Sequence, residues 1–264
     1  VAGPGWAASG IAAFLAYKAT LQLGNKRLLL KRSDDQFHPA LLVLRVFSLG
    51  KRSEVLFEKV AQRWRYLGNV QLIAGTDLAT STVAPHQFLS FVSGKLKLLF
   101  VNNEETINRS IQEMDVLPDV DGRFRINDFL CRKDTWQSVL SRLITSVDVV
   151  LMDLRNFTKE NKGCIFELNE LLNVVPVQRL VLVIDNSTDK DLLNETLKAS
   201  CAKMRAGSPN SNLSPCSIPL HELTCLTTGE LQKLFNKLCK GCVSNRIEHR
   251  PALLTNLVGS SRIK

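Results

Sequence analysis

From position 40 onward the chain alternates two apolar patterns. Short runs that are apolar almost throughout come first: "ALLVLRVFS" at 40–48, broken by Arg45, "NVQLIA" at 69–74, "VDVVLMDL" at 147–154 and "RLVLVID" at 179–185. Each is followed by a stretch whose apolar residues return every three or four positions: "SEVLFEKVAQRW", "PHQFLSFVSGKLKLLF", "GCIFELNELLNVV" and "DKDLLNETLKAS". Continuous apolar runs of this length mark strands buried on both faces, and the second pattern marks amphipathic helices. Repetition of strand then helix predicts an α/β fold, a three-layer sandwich around a mainly parallel sheet, in the flavodoxin manner. A short strand in "CSIPLHEL" (216–223) and a helix in "TGELQKLFNKLCK" complete the set. Two segments read as interruptions. Residues 101–132, with "NNEETINRS" and "LPDVDGRFRIN", are too polar and broken for the core, and "RAGSPNSNLSP" (205–215) has the Gly, Ser, Asn and Pro content of a surface loop.

Ahead of this alternation the pattern changes. Val1 to Tyr17 carries no charge, and as a helix it covers about 25 Å at ~1.5 Å per residue, the low end of a membrane span. Trp6 and Tyr17 suit the two interfaces, and Lys26, Arg27, Lys31 and Arg32 follow, as expected where the C-terminal side faces the cytoplasm. The resulting organisation is the end of a transmembrane region at 1–23, a basic connector at 24–39, an α/β domain at 40–242 and a basic tail at 243–264. An Ala-rich packing helix is the competing reading of the first segment. The expected localisation is the membrane, with the soluble domain cytoplasmic.

Composition adds a partner bias. The 264 residues carry 34 Lys+Arg against 25 Asp+Glu, a formal charge of +9, which favours anionic partners; with the basic connector and tail, it fits apposition to an anionic cytoplasmic leaflet. No aromatic and basic residues interleave, so no nucleic-acid partner is expected, and Trp64 and Trp136 read as core. Seven cysteines, odd in number and irregularly spaced, do not form the framework of a small secreted domain and read as reduced thiols.

In an open parallel sheet the ligand crevice lies beyond the carboxyl ends of the strands. "SLGKRS" after the first strand places Ser48, Lys51 and Arg52 at a helix start, where free N–H groups can hold a phosphate. It is not a Walker A loop, because Arg45 stands five before Gly50 and Arg52 follows Lys51. Asp153 and Asp185 end two strands and form a candidate metal or phosphorylation pair, although no acid follows the first strand to complete it. His221, Cys225, Cys239 and Cys242 have types and spacings compatible with zinc, CxxC being the stronger half. Glu167, three positions after Cys164, falls on the rim of the stripe formed by Cys164, Leu168, Leu171, Leu172 and Val175, near the start of its helix. There it either favours the helix N-terminus as an ordinary acid or faces the crevice and stabilises a cation.

"VDVVLMDLRNFTKENKGCIFEL" resembles the strand, loop and helix of the Toll/interleukin receptor (TIR) family that carry Trp-Cys-x-x-Glu, with Cys164 and Glu167 matching and Gly163 in place of the Trp. Val46, Phe47 and Ser48 are similar to the end of the family's first strand, and the alternation over roughly 40–240 agrees with its fold. "GTDLATSTVAP" lacks the family's Arg-Asp and Pro-Gly pattern. The resemblance, of bacterial type, implies two functions. The first is a membrane-anchored signalling or effector module acting by self-association or partner binding. The second is NAD⁺ hydrolysis, with NAD as substrate, Glu167 beside the ribosyl oxocarbenium, and Ser48, Lys51, Arg52 and Asp153 about the nucleotide.

Overall fold

The computed structural model describes residues 9, 11–20, 37–45, 51–74, 100–131, 135–214 and 218–249. Seven parallel strands form one sheet: β1 (Leu41–Arg45), β2 (Val70–Ala74), β3 (Phe100–Val101), β4 (Ile126–Cys131), β5 (Val149–Asp153), β6 (Leu180–Ile184) and β7 (Leu220–Glu222). Their order across the sheet is β3-β4-β2-β1-β5-β6-β7. The helices that follow position 40, among the described residues, are α1 (Lys51–Trp64), α2 (Glu104–Gln112), α3 (Trp136–Ser146), α4 (Lys162–Val174), α5 (Lys190–Ala202) and α6 (Thr228–His249), with a 3-10 turn at Val177–Arg179.

Alternation within each strand divides the apolar residues between two layers. Leu42, Leu44, Val150, Met152, Leu180 and Leu182 face a core shared with α3, α4 and α5. Leu41, Val43, Val149, Leu151, Val181 and Val183 face the opposite core, shared with α1 and α6. Both faces of β1, β5 and β6 are therefore buried, which is why those strands read as unbroken apolar runs. The chain enters β2 through a close approach at Gly68, where a Cβ would stand 1.8 Å from the Pro39 carbonyl oxygen. Only glycine passes there.

The segment at 101–132 is not an interruption of the sheet. It supplies β4, which pairs with β2 from Val70↔Ile126 to Ala74↔Leu130, and β4 in turn pairs with β3. Ile107, Phe124, Phe129, Leu130 and Cys131 are buried. The polar stretches belong to the ends: Asn103 caps α2 through a capping box with Thr106, and Arg125 pairs with Asp115 and Asp119 along the loop before β4. The loop at 205–215 is likewise more than surface. Asn210 is buried, accepts from the Val177 N–H (2.9 Å) and donates to the carbonyls of Leu172 and Val175 (2.8 Å each), fastening the exit of α4.

Positions 11–20 are helical, with Ile11, Phe14, Leu15 and Tyr17 exposed. Apart from position 9, the rest of the first 23 residues lies outside the described part, as do Lys26, Arg27, Lys31 and Arg32, residues 85–99 of the expected helix and the tail beyond 249; Phe100, the last residue of that expectation, is in β3 instead. Among the described residues no helix is long and apolar enough to cross a membrane, so the apolar N-terminal helix is not supported as a span.

Candidate functional site

The sheet order reverses between β1 and β5: the chain leaves β1 toward β2 on one side and later continues from β5 toward β6 on the other. This switch point is where an open α/β sheet forms its crevice. The first turn of α1, the turn after β5 and the turn after β6 meet there. Asp153, at the end of β5, is 2% exposed; its Oδ2 accepts from Ser53 Oγ (2.7 Å) and Arg155 Nη2 (2.7 Å), and its Oδ1 from Arg155 Nε (2.8 Å) and the Arg155 N–H (3.2 Å). Arg155 Nη2 also reaches the Arg52 carbonyl at 3.1 Å, tying the turn after β5 to the start of α1. Asn156 follows with φ 58°, a left-handed conformation that asparagine accommodates, and its N–H donates to Ser187 Oγ.

Asp185, at the end of β6, pairs with Arg52 at 2.5 Å and accepts from the Ser187 N–H and hydroxyl. Burial alone would raise its pKa, but the Ser187 donors and the Arg52 charge outweigh it and hold the carboxyl below its ordinary value. Each strand-end aspartate thus already serves guanidinium, hydroxyl and N–H donors of the protein, and neither belongs to a group of three or more His, Cys, Asp or Glu placed to hold a metal among the described residues. Arg52 and Asp153 lie at the crevice as expected, but they belong to two ion pairs; Ser48 lies outside the described residues, as does the Lys51 side chain.

Glu167 stands on the other layer. Its neighbours on α4, Cys164 and Leu168, belong to the core shared with α3 and α5, whereas Arg52 rides on α1 across the sheet. The rim position expected of Glu167 is corrected: it is 3% exposed, because α4 is packed between α3 and α5 as well as against the sheet. Among the described residues its carboxyl makes no hydrogen bond, and Oε2 is fully enclosed without a partner. Burial pushes its pKa up to about 8. Burial also raises the Cys164 thiol, with the charges of Glu167 and Asp153 adding to the effect, so Cys164 stays a neutral thiol packed in the core. Trp136 of α3 packs edge-on to Phe166 with ring centres 5.3 Å apart, and its ring lies 3.9 Å from where a Cβ on Gly163 would be.

A cavity of about 380 Å³ opens beside the Asp153 and Asp185 network, lined by Arg52, Val55 and Arg155 and by residues 223–226 after β7. The zinc expectation is not met. No group of three or more His, Cys, Asp or Glu among the described residues is placed to hold a metal. Cys225 precedes α6 and is exposed, Cys242 is buried inside that helix, and His221 is buried on β7. At ~1.5 Å per residue, the helix carries Cys239 roughly 16 Å from its own start. The residues missed at the sequence level are Arg155, Ser53 and Ser187. The available signal was Asp-Leu-Arg at a strand end, where the arginine can fold back on its aspartate.

Comparison of the chain with protein-family models, with curated proteins and with solved structures finds no significant match.

Proposed function

We propose that the chain is a TIR-like effector module of flavodoxin type, attached to a membrane with its α/β domain on the cytoplasmic side. Its proposed activity is cleavage of the nicotinamide-ribose bond of NAD⁺, with Glu167 as the charge-bearing group. The observation that carries this is the state of Glu167, a buried carboxyl without a hydrogen bond to the described residues, at the acid position of the Cys-x-x-Glu match. Such a group costs about 1–3 kcal/mol or more in stability, and strongly perturbed buried acids concentrate at functional sites. An ordinary helix-start acid would be solvated. The strand order β2-β1-β5-β6-β7 corresponds to the flavodoxin order, with β3 and β4 added beyond β2, and Trp136 lies beside Gly163, the position at which the family carries its Trp.

The chemistry needs one acid. As the bond between C1′ and nicotinamide breaks, its electron pair goes to the ring nitrogen, so nicotinamide leaves neutral without taking a proton. Positive charge grows on the ribosyl carbon and oxygen, and an ionised Glu167 opposes it. Water then bonds to C1′ and releases a proton to solvent, giving ADP-ribose. A cationic substrate beside the carboxyl lowers its pKa from about 8 toward the charged form. Turnover therefore rises with pH through the neutral range.

The test is nicotinamide release from NAD⁺ by the whole chain at high concentration or on anionic liposomes, against Glu167→Ala. Release by the parent and loss in the variant supports the enzyme. A second reading, a module that works by self-association or partner binding alone, is favoured by Val116, Leu117 and Val120, exposed on a loop whose Asp115 and Asp119 are held by Arg125. No turnover by either protein, with concentration-dependent assembly, would give the function to that reading.

A further inference from the structure

The cavity beside the crevice lies on the α1 and α6 side of the sheet, the side away from Glu167. Its size is within the range of small-molecule sites, near the lower end. Val55, Leu223 and Leu226 give it apolar walls, and Arg52 and Arg155 give it guanidinium groups. The aspartates behind them have their oxygens occupied: Asp153 by Ser53 and Arg155, Asp185 by Arg52 and Ser187. Arg155 is 3% exposed and held rigidly through Nε and Nη2, while its Nη1 makes no hydrogen bond to the described residues. Among the described residues, Arg52 is fixed to Asp185 through one nitrogen. A buried, pre-oriented guanidinium with an unused N–H edge on a cavity is suited to a planar or tetrahedral oxyanion, since the cost of ordering the side chain has already been met.

We infer that this cavity binds a small oxyanion, a carboxylate or a phosphate monoester, carried on a compact apolar body. The anion sits against Arg155 and Arg52, and the body against Val55, Leu223 and Leu226. A cation is disfavoured by the two guanidiniums, and a bare anion leaves the apolar walls unused. The site is separate from the one proposed around Glu167, so either can fail without the other.

Cys225 reports on occupancy, because it lines the cavity and is exposed. The rate of its alkylation by iodoacetamide, read on the Cys225 peptide by mass spectrometry, is measured with phenyl phosphate, benzoate or inorganic phosphate present. Phenyl phosphate or benzoate should slow labelling of Cys225 and leave Cys239 unchanged; which is the stronger distinguishes phosphate from carboxylate. Inorganic phosphate should protect only at much higher concentration. Arg52→Gln should weaken protection about tenfold or more, the value of a charge-assisted hydrogen bond. Val55→Trp, which fills the cavity from a partly exposed position, should remove it, and Glu167→Gln should preserve it. Isothermal titration with phenyl phosphate supplies the same constant without involving the thiol. Undiminished labelling with all three anions and no heat of binding overturns the inference, as does protection equally strong in Arg52→Gln and Val55→Trp.

Discussion

Asp153 and Glu167 are both carboxyl groups within a few per cent of full burial, one at the end of β5 and the other on the helix that follows, yet their surroundings are opposite. Asp153 accepts from a serine hydroxyl, a backbone N–H and two nitrogens of one arginine. Glu167 accepts from none of the described residues and has its pKa raised to about 8 by burial. Burial therefore does not by itself set the state of a carboxyl; the supply of donors does. Asp153 holds the turn after β5 against the start of α1, and its charge is used up in that task. Glu167 stays at high energy, which its fold tolerates and a cationic ligand would relieve.

The largest effect should come from breaking the satisfied acid. Asp153→Asn leaves Arg155 buried without its counter-charge, and urea unfolding should register a loss of about 3–5 kcal/mol. A loss below 1 kcal/mol would mean that water reaches Arg155 and that the pair is not a buried one.

The orphan acid should behave in the reverse sense. Its folded pKa, about 8, lies above the 4.5 of an ordinary glutamate, so across that window the folded state keeps a proton that the unfolded state has lost. Stability then falls as pH rises, by about 1.4 kcal/mol per unit, and levels off above the folded pKa. Glu167→Gln should remove this component, and Glu167→Leu should gain about 1–3 kcal/mol at neutral pH by deleting an unsatisfied group. Parallel stability curves for parent and Glu167→Gln between pH 5 and 8 would contradict a raised carboxyl.

Smaller effects sharpen the contrast. Ser53→Ala removes one donor to Asp153 and should cost roughly 1.5 kcal/mol in the same unfolding assay. Arg52→Gln breaks a pair whose arginine side chain is 56% exposed, and the expected cost is only about 0.2–1 kcal/mol, declining further in high salt. If Arg52→Gln costs more than Ser53→Ala, the outer pair and not the inner network anchors α1.

Strands with both faces covered were the most legible elements. β1, β5 and β6 combine full burial with continuous apolar sequence, and each was recognised within a residue or two where the chain is described. β4 was not, because its first half, Ile126–Asp128, is partly exposed and polar, and it gains its place by pairing with β2 over five residues. The cysteine cluster failed for a related reason. Spacing along the chain says which thiols can share a helix, but Cys225 and Cys242 are set in different environments by the placement of α6 on the sheet.

For the site, the sequence alone determined that Asp153 would end a strand at the crevice and that Glu167 would ride on the next helix, since both follow from hydrophobic period and local order. Only the tertiary structure decided their fates. A carboxyl's energy depends on the donors within about 3 Å of it, and those of Asp153 come from α1, remote in sequence, and from the turn after β5. Ser53, one hundred positions away, reaches Asp153; no donor among the described residues reaches Glu167.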